Sequence, residues 1–135
     1  MTPLFGNNPA FTALLYSRAD ASVADYATFY LSNLAKVGPG VAPDWQLEYT
    51  FKQTYKSPGY DAASLLALSK GIRTDDTVRA SFMRYYAVES AQSSVNASNL
   101  TAYACAQTAI TPDAFQACAC PKPAPDPASA NSPPR

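Results

Sequence analysis

Apolar residues along this chain change rhythm, from close alternation near the N-terminus to helical spacing after about residue 60. Residues 11–17 and 26–31 are rich in aromatic and aliphatic side chains, and 18–24 between them is small and polar, so the pair predicts an antiparallel hairpin. Two strands alone are marginal, so the hairpin is expected to extend a larger sheet on its N-terminal side. Ahead of it, Pro3, Gly6, Asn7, Asn8 and Pro9 predict a loop. Gly38, Pro39, Gly40 and Pro43 mark a linker, and residues 44–56 then satisfy two patterns at once. Trp45, Leu47, Tyr49 and Phe51 alternate as in a strand, while Leu47, Phe51 and Tyr55 recur every four residues. With Asp44 placed to cap, the expectation here is a helix.

Asp61 predicts the start of a second helix running through Lys70 and stopping around Gly71, with Leu65, Leu68 and Ile72 on one face. Thr74 is the expected cap of a third helix reaching about Ser90, with Val78, Phe82, Tyr85 and Tyr86 along its apolar face. Residues 94–98 predict an exposed loop leading to a helix over 99–107. Thr111, Pro112 and Asp113 open a last short helix reaching Cys118. From Pro121 onward six of fifteen residues are proline and none is large and apolar, so a disordered tail over 121–135 is expected. The sum is an α+β fold, a hairpin followed by four to five mostly short helices.

At 135 residues with 47% hydrophobic content, the chain is long enough for one domain and too short for two. Ten basic residues balance ten acidic ones without a basic run, which argues against a nucleic-acid partner. No apolar stretch reaches the roughly 18 residues of a membrane span. Residues 1–10 lack the layout of a signal peptide. Yet Asn96 and Asn99 head glycosylation sequons, and Cys105, Cys118 and Cys120 lie within sixteen residues, both marks of a secreted or lysosome- or vacuole-like setting. These signals are reconciled if Met1 begins a segment of a longer secreted protein.

Candidate chemistry is sparse. The chain has no histidine, which removes Ser-His and Cys-His nucleophiles and the imidazole on which hydrolytic metal pairs usually depend. Asp75 and Asp76 would point about 100 degrees apart on a helix, and their plain role is to place negative charge at its first turn. The five glycines form no phosphate loop. Trp45, Tyr49, Phe51, Tyr55, Phe82, Tyr85 and Tyr86 could line a lipid-binding groove, but packing of helix on helix explains them more simply. Cys105 and Cys118 would sit on two short helices joined by residues 108–111, a geometry that a disulfide can close, with Cys120 free, competing for Cys105, or bonded elsewhere.

Specific strings carry a resemblance. Val41-Ala42-Pro43-Asp44-Trp45-Gln46-Leu47-Glu48-Tyr49, then Lys52, Thr54 and Tyr55, is similar to the pattern of the C-terminal region of acid sphingomyelinase-like metallophosphoesterases. Thr2-Pro3, Asn8-Pro9-Ala10-Phe11 and the run 26–34 resemble the loop and strands that close that family's sheet, and Phe82-Met83-Arg84-Tyr85-Tyr86 resembles its final helices. The resemblance implies that residues 1–34 complete a metallophosphatase sheet and 35–120 form a helical subdomain. It implies a terminal disulfide between Cys105 and Cys118, and it places Leu4 and Phe5 near the substrate rim. Family enzymes cleave sphingomyelin to ceramide and phosphocholine, or related phosphodiesters, with two zinc ions held by motifs that precede this segment. The implied role is therefore a non-catalytic brace with no cofactor of its own, partnered by an N-terminal metallophosphatase portion and, through the parent enzyme, by a lipid surface. The competing reading is an independent small secreted binding or structural protein, and upstream Asp-x-His and Gly-His-x-His strings would separate the two.

Overall fold

A computed structural model of the chain describes residues 6–121, and among these the architecture is α+β. Strands β1 (Ala10–Tyr16), β2 (Val23–Leu31) and β3 (Trp45–Thr50) form an antiparallel sheet in the order β1-β2-β3. Helices α1 (Phe51–Tyr55), α2 (Ala62–Thr74), α3 (Asp76–Tyr86), α4 (Leu100–Ala106) and α5 (Pro112–Ala119) follow.

The expected hairpin is present, with β2 starting three residues earlier than its aromatic run, and a third strand extends it. That third strand corrects the helix expected over 44–56. Trp45–Thr50 is extended because its backbone groups complete the second edge of β2, running from Trp45 opposite Leu31 to Thr50 opposite Ala27. Only Phe51–Tyr55 is helical, and it ends where Lys56 turns left-handed (φ 50°) and its N–H bonds the Lys52 carbonyl. The ladder slips between Leu47, opposite Phe29, and Tyr49, opposite Thr28, leaving Glu48 as a bulge residue. Strict alternation would put Trp45, Leu47 and Tyr49 on one face. The bulge instead leaves Trp45 and Leu47 outside and turns Tyr49 inward, onto the ring of Tyr85 at 4.5 Å.

Beyond the sheet, Asp61 caps α2 by accepting from the Ser64 N–H at 2.7 Å. The helix does not stop at Gly71 but runs to Thr74. Gly71 has a different use, since a Cβ there would lie 3.2 Å from Val78 Cγ1, so its small size lets α2 and α3 approach closely. The cap of α3 is Asp75 and not Thr74: its carboxylate accepts from the N–H groups of Thr77 (2.8 Å) and Val78 (3.0 Å). Thr74 closes α2, its hydroxyl donating to the Lys70 carbonyl. α3 ends at Tyr86, short of Ser90, because Val88 and Glu89 take left-handed dihedrals (φ 56° and 52°).

Ile72, Val95, Leu100 and Ala104 form the helical core, with Leu68, Val78, Phe82, Met83, Tyr86 and Tyr103 packed on it. The 94–98 segment is thus not exposed throughout: Val95 is 4% exposed and inserts between the helices. α5 starts as its residues dictate, with the Thr111 hydroxyl accepting from Ala114 N–H and Pro112 in the first turn. It buries no residue of its own.

The reassigned cap gives a direct test. Asp75→Ala is expected to cost about 1 kcal/mol, while Thr74→Ala should stay within about 0.5 kcal/mol. Urea unfolding of the two variants measures the difference.

Candidate functional site

Three features could carry function, and each follows from how the sheet meets the helices. The first is the outer surface of the sheet. Phe11, Phe29 and Leu47 are neighbours across the three strands, so they share the face away from the helices, with Leu15 and Trp45 at the same parity. Phe11 stacks on Phe29 at 5.2 Å and meets Trp45 edge-on at 5.1 Å. This face is nevertheless open: Phe11 is 49% exposed, Leu15 64%, and Leu47 54%. At its margin β1 is the sheet's edge, and from Phe11 to Tyr16 every residue is exposed.

The second feature lies on the inner face, where Tyr26, Tyr49, Phe51, Tyr55 and Tyr60 pack ring against ring at 5.0–6.3 Å. Together with Leu65, Leu66, Leu68, Ile72 and the α3 aromatics they surround a cleft of about 810 Å³ whose lining among the described residues holds no charge. The hydroxyls of Tyr26 and Tyr49 share a hydrogen bond of 2.8 Å. Burial holds the phenols of Tyr26, Tyr49 and Tyr55 above the ordinary tyrosine range, so they stay protonated and offer neither a base nor a nucleophile near neutral pH. The aromatic residues thus divide between roles. Phe51 (1% exposed) is core at the junction of sheet and helices, and Trp45 belongs to the outer sheet face, not to a helix packing surface.

The third feature centres on Glu48. On the inner face beside the bulge, this carboxyl lies near Glu89 in the turn after α3, and its two oxygens are shielded and have no hydrogen-bond partner among the described residues. Desolvation and then the charge of Glu89 push its pKa up to about 7, against weaker pulls from the Glu89 N–H and Arg84. Arg84 is committed elsewhere, its Nε and Nη2 both donating to one Glu89 oxygen at 2.9 and 2.8 Å. Sequence reasoning passed over Glu48, although a carboxylate between Leu47 and Tyr49 in an apolar strand was the available signal.

The remaining predicted positions are scattered. Cys105 and Cys118 are joined in a disulfide with Cα atoms 5.8 Å apart, and Cys120 is free and exposed. Asn96 is exposed, its Oδ1 accepting from the Ser98 N–H and hydroxyl, while Asn99 is half-buried with Nδ2 donating to the Ser94 carbonyl. Leu4 and Phe5, like residues 122–135 of the expected tail, lie outside the described residues. Asp75 and Asp76 serve the α3 terminus, the first as cap and the second in an ion pair with Arg79. Among the described residues no three His, Cys, Asp or Glu side chains gather as a metal site, and the residue types do not fit a zinc pair.

The sheet, the helical segment after it and the paired cysteines define one α+β module, and the sequence comparisons give its family. The chain belongs to the family described as the acid sphingomyelin phosphodiesterase C-terminal region, which it matches over residues 1–120. It is similar to the acid sphingomyelinase-like phosphodiesterase 3b of Homo sapiens, with 29% identity over 115 residues. The match takes in 83% of this chain but spans only 24% of that relative.

The two cysteine assignments can be separated by measurement. α5 has no fully buried residue, so the disulfide is its main anchor, and closing a loop of this size is worth about 3 kcal/mol. Cys118→Ser should lose roughly that much in thermal unfolding, whereas Cys120→Ser should stay within about 0.5 kcal/mol of the parent.

Proposed function

We propose that this chain works as the C-terminal brace of an acid sphingomyelinase-like phosphodiesterase, adding its strands to a catalytic metallophosphatase portion and supplying no catalytic group itself. The observation that carries this reading is the sheet with one face on its own helices and the other, Phe11, Leu15, Trp45 and Leu47, open to solvent. A lone soluble domain rarely leaves so large an apolar patch bare, and a long exposed edge strand invites pairing. A partner sheet that covers this face and adds to β1 answers both needs. The length relation supports it too, since the relative is about four times as long as the matched segment.

Leu4 and Phe5, which precede this sheet by a few residues, would then lie near the rim of the partner's site. The parent reaction would be hydrolysis of a phosphodiester such as sphingomyelin, at a lipid surface, with the zinc pair held by the partner portion. Secretion or delivery to a lysosome- or vacuole-like compartment fits the disulfide, and Asn96 is the better presented of the two sequon asparagines.

Alone, with zinc added, the chain is expected to show no phosphodiesterase turnover, and activity well above a boiled control would overturn the reading. Co-expressed with the human relative cut before its matched region, it should form a complex that copurifies. The Leu31 N–H bonds the Pro9 carbonyl, so ladder alternation turns Leu14 N–H to the open side of β1. Leu14→Pro should therefore keep the chain folded, as edge strands tolerate proline, and abolish the complex.

A further inference from the structure

The turn after α3 combines three unusual features. Val88 is fully buried and β-branched yet sits at φ 56°, and Glu89 follows it at φ 52°, two left-handed non-glycine residues in succession. Such conformations persist only where the surroundings hold them. The turn also anchors the segment that leads into β1: Asn8 Nδ2 donates to the Val88 carbonyl at 2.8 Å, and the Ser90 hydroxyl donates to the Gly6 carbonyl. Gly6 itself is left-handed (φ 78°) and a Cβ there would lie 3.1 Å from the Gln92 side chain, so this attachment is closely fitted. Facing the turn is the shielded carboxyl of Glu48, which completes no hydrogen bond among the described residues.

A carboxyl in that position is tolerable while neutral and costly when ionised, because burial and the Glu89 charge outweigh the weak pull of the Glu89 N–H, no hydrogen bond is completed among the described residues, and the nearest guanidinium is already engaged. We propose that Glu48 is a proton-operated latch: neutral, it packs under the 87–90 turn and leaves that turn bonded to residues 6–8; ionised, it forces the turn open and loosens that attachment. The groups that face it are Glu89 in the turn, Arg84 on α3, Tyr49 on its own strand and Tyr55 on α1. The two phenols stay neutral, so Glu89 and Arg84 are the charges that count. Opening the turn gives Glu48 water and distance from Glu89, and Arg84 becomes free to bridge either carboxylate.

The sign follows from the direction of the shift. The folded carboxyl titrates at about 7, above its ordinary 4.5, so the fold holds the extra proton between these values. Stability is complete below the lower value and falls as pH rises through the upper one. The folded-to-unfolded ratio drops by at most about tenfold per pH unit in that window, less in practice because the site is half-buried and partly screened. This latch belongs to the 135-residue chain itself and does not rest on the brace role: the loss of partner binding tests that reading, and titration of the chain alone tests this one.

The experiment follows Glu48 by carbon-detected carboxyl NMR in the oxidised chain from pH 4 to 8, with thermal unfolding and amide exchange at residues 88–90 over the same range. The expected results are a Glu48 midpoint near neutrality, a Tm that falls by several degrees from pH 5 to 8, and exchange at 88–90 rising beyond the intrinsic base-catalysed increase. Glu48→Gln should remove the pH dependence of both Tm and exchange in that interval. Glu89→Gln, which leaves the latch residue in place, should move the Glu48 midpoint to lower pH by removing the opposing charge. A midpoint in the ordinary carboxyl range, or an unchanged pH slope in Glu48→Gln, would overturn the latch.

Discussion

The change from strand to helix at Thr50 and Phe51 is the constraint on which the rest of the structure depends. Phe51 is 1% exposed and its ring meets Tyr26 on β2, Tyr55 on its own helix and Tyr60 beyond it. A buried phenylalanine of this kind is worth about 3–5 kcal/mol, and here one ring ties the middle strand to the first helical segment. The backbone supports the same junction, since the Asp25 carboxylate on β2 accepts from the Lys52 N–H at 3.1 Å. The α2–α4 core of Ile72, Val95, Leu100 and Ala104 draws no residue from a strand, so this joint and the Tyr49–Tyr85 stack are what tie the sheet to the helices.

The bulge one turn earlier decides which way the sheet's apolar surface is divided. Three aromatic or aliphatic residues at alternate positions would ordinarily crowd one face and leave the other polar. The extra residue at Glu48 breaks that rule, sending Tyr49 inward to Tyr85 and leaving Trp45 and Leu47 with Phe11 and Phe29 outside. The inner face thereby gains the aromatic contact that fastens α3, and the outer face keeps an apolar surface that this chain's own helices do not cover. A sheet apolar on both faces is the pattern of an interior sheet, which is what the proposed brace role would require.

Much of this was legible in the sequence wherever one local rule acted alone. The hairpin, the caps at Asp61 and Thr111, Pro112 in a first turn and the apolar faces of α2 and α3 follow from alternation, side-chain capping and helical spacing. The rules failed where two of them competed. Residues 45–50 satisfy strand and helix periodicity equally, and what decided was the open edge of β2, a tertiary demand with no local trace. Gly71 was a plausible helix stop, yet its small size serves contact with Val78 on another helix. Thr74 and Asp75 are both good caps, and the carboxylate outcompetes the hydroxyl for the exposed N–H groups of α3. Of the candidate site, the cysteine pair and the sequons could be seen in advance, whereas Glu48 could not be interpreted, because the groups that act on it, Arg84 and Glu89, come from a distant part of the chain.

Glu48 also shows how a local irregularity becomes coupled to distant parts of the chain. An outward glutamate on a regular strand would be solvated and inert. With Trp45 and Leu47 outside, alternation points Glu48 inward, where its carboxyl lies near both Glu89 and Arg84 at the end of α3. The left-handed pair Val88 and Glu89 closes the turn there, with Glu89 folded back onto Arg84 and Val88 completely buried. The same tight turn exposes the Val88 carbonyl to Asn8 and the Ser90 hydroxyl to Gly6, so residues some 80 positions apart in sequence are fixed together. The segment entering β1 thus takes its position from the end of α3, and the charge state of one strand residue bears on both. This chain of dependence runs through the backbone conformation of two residues, which is why a single proton at Glu48 can reach the margin of the sheet where a partner would join.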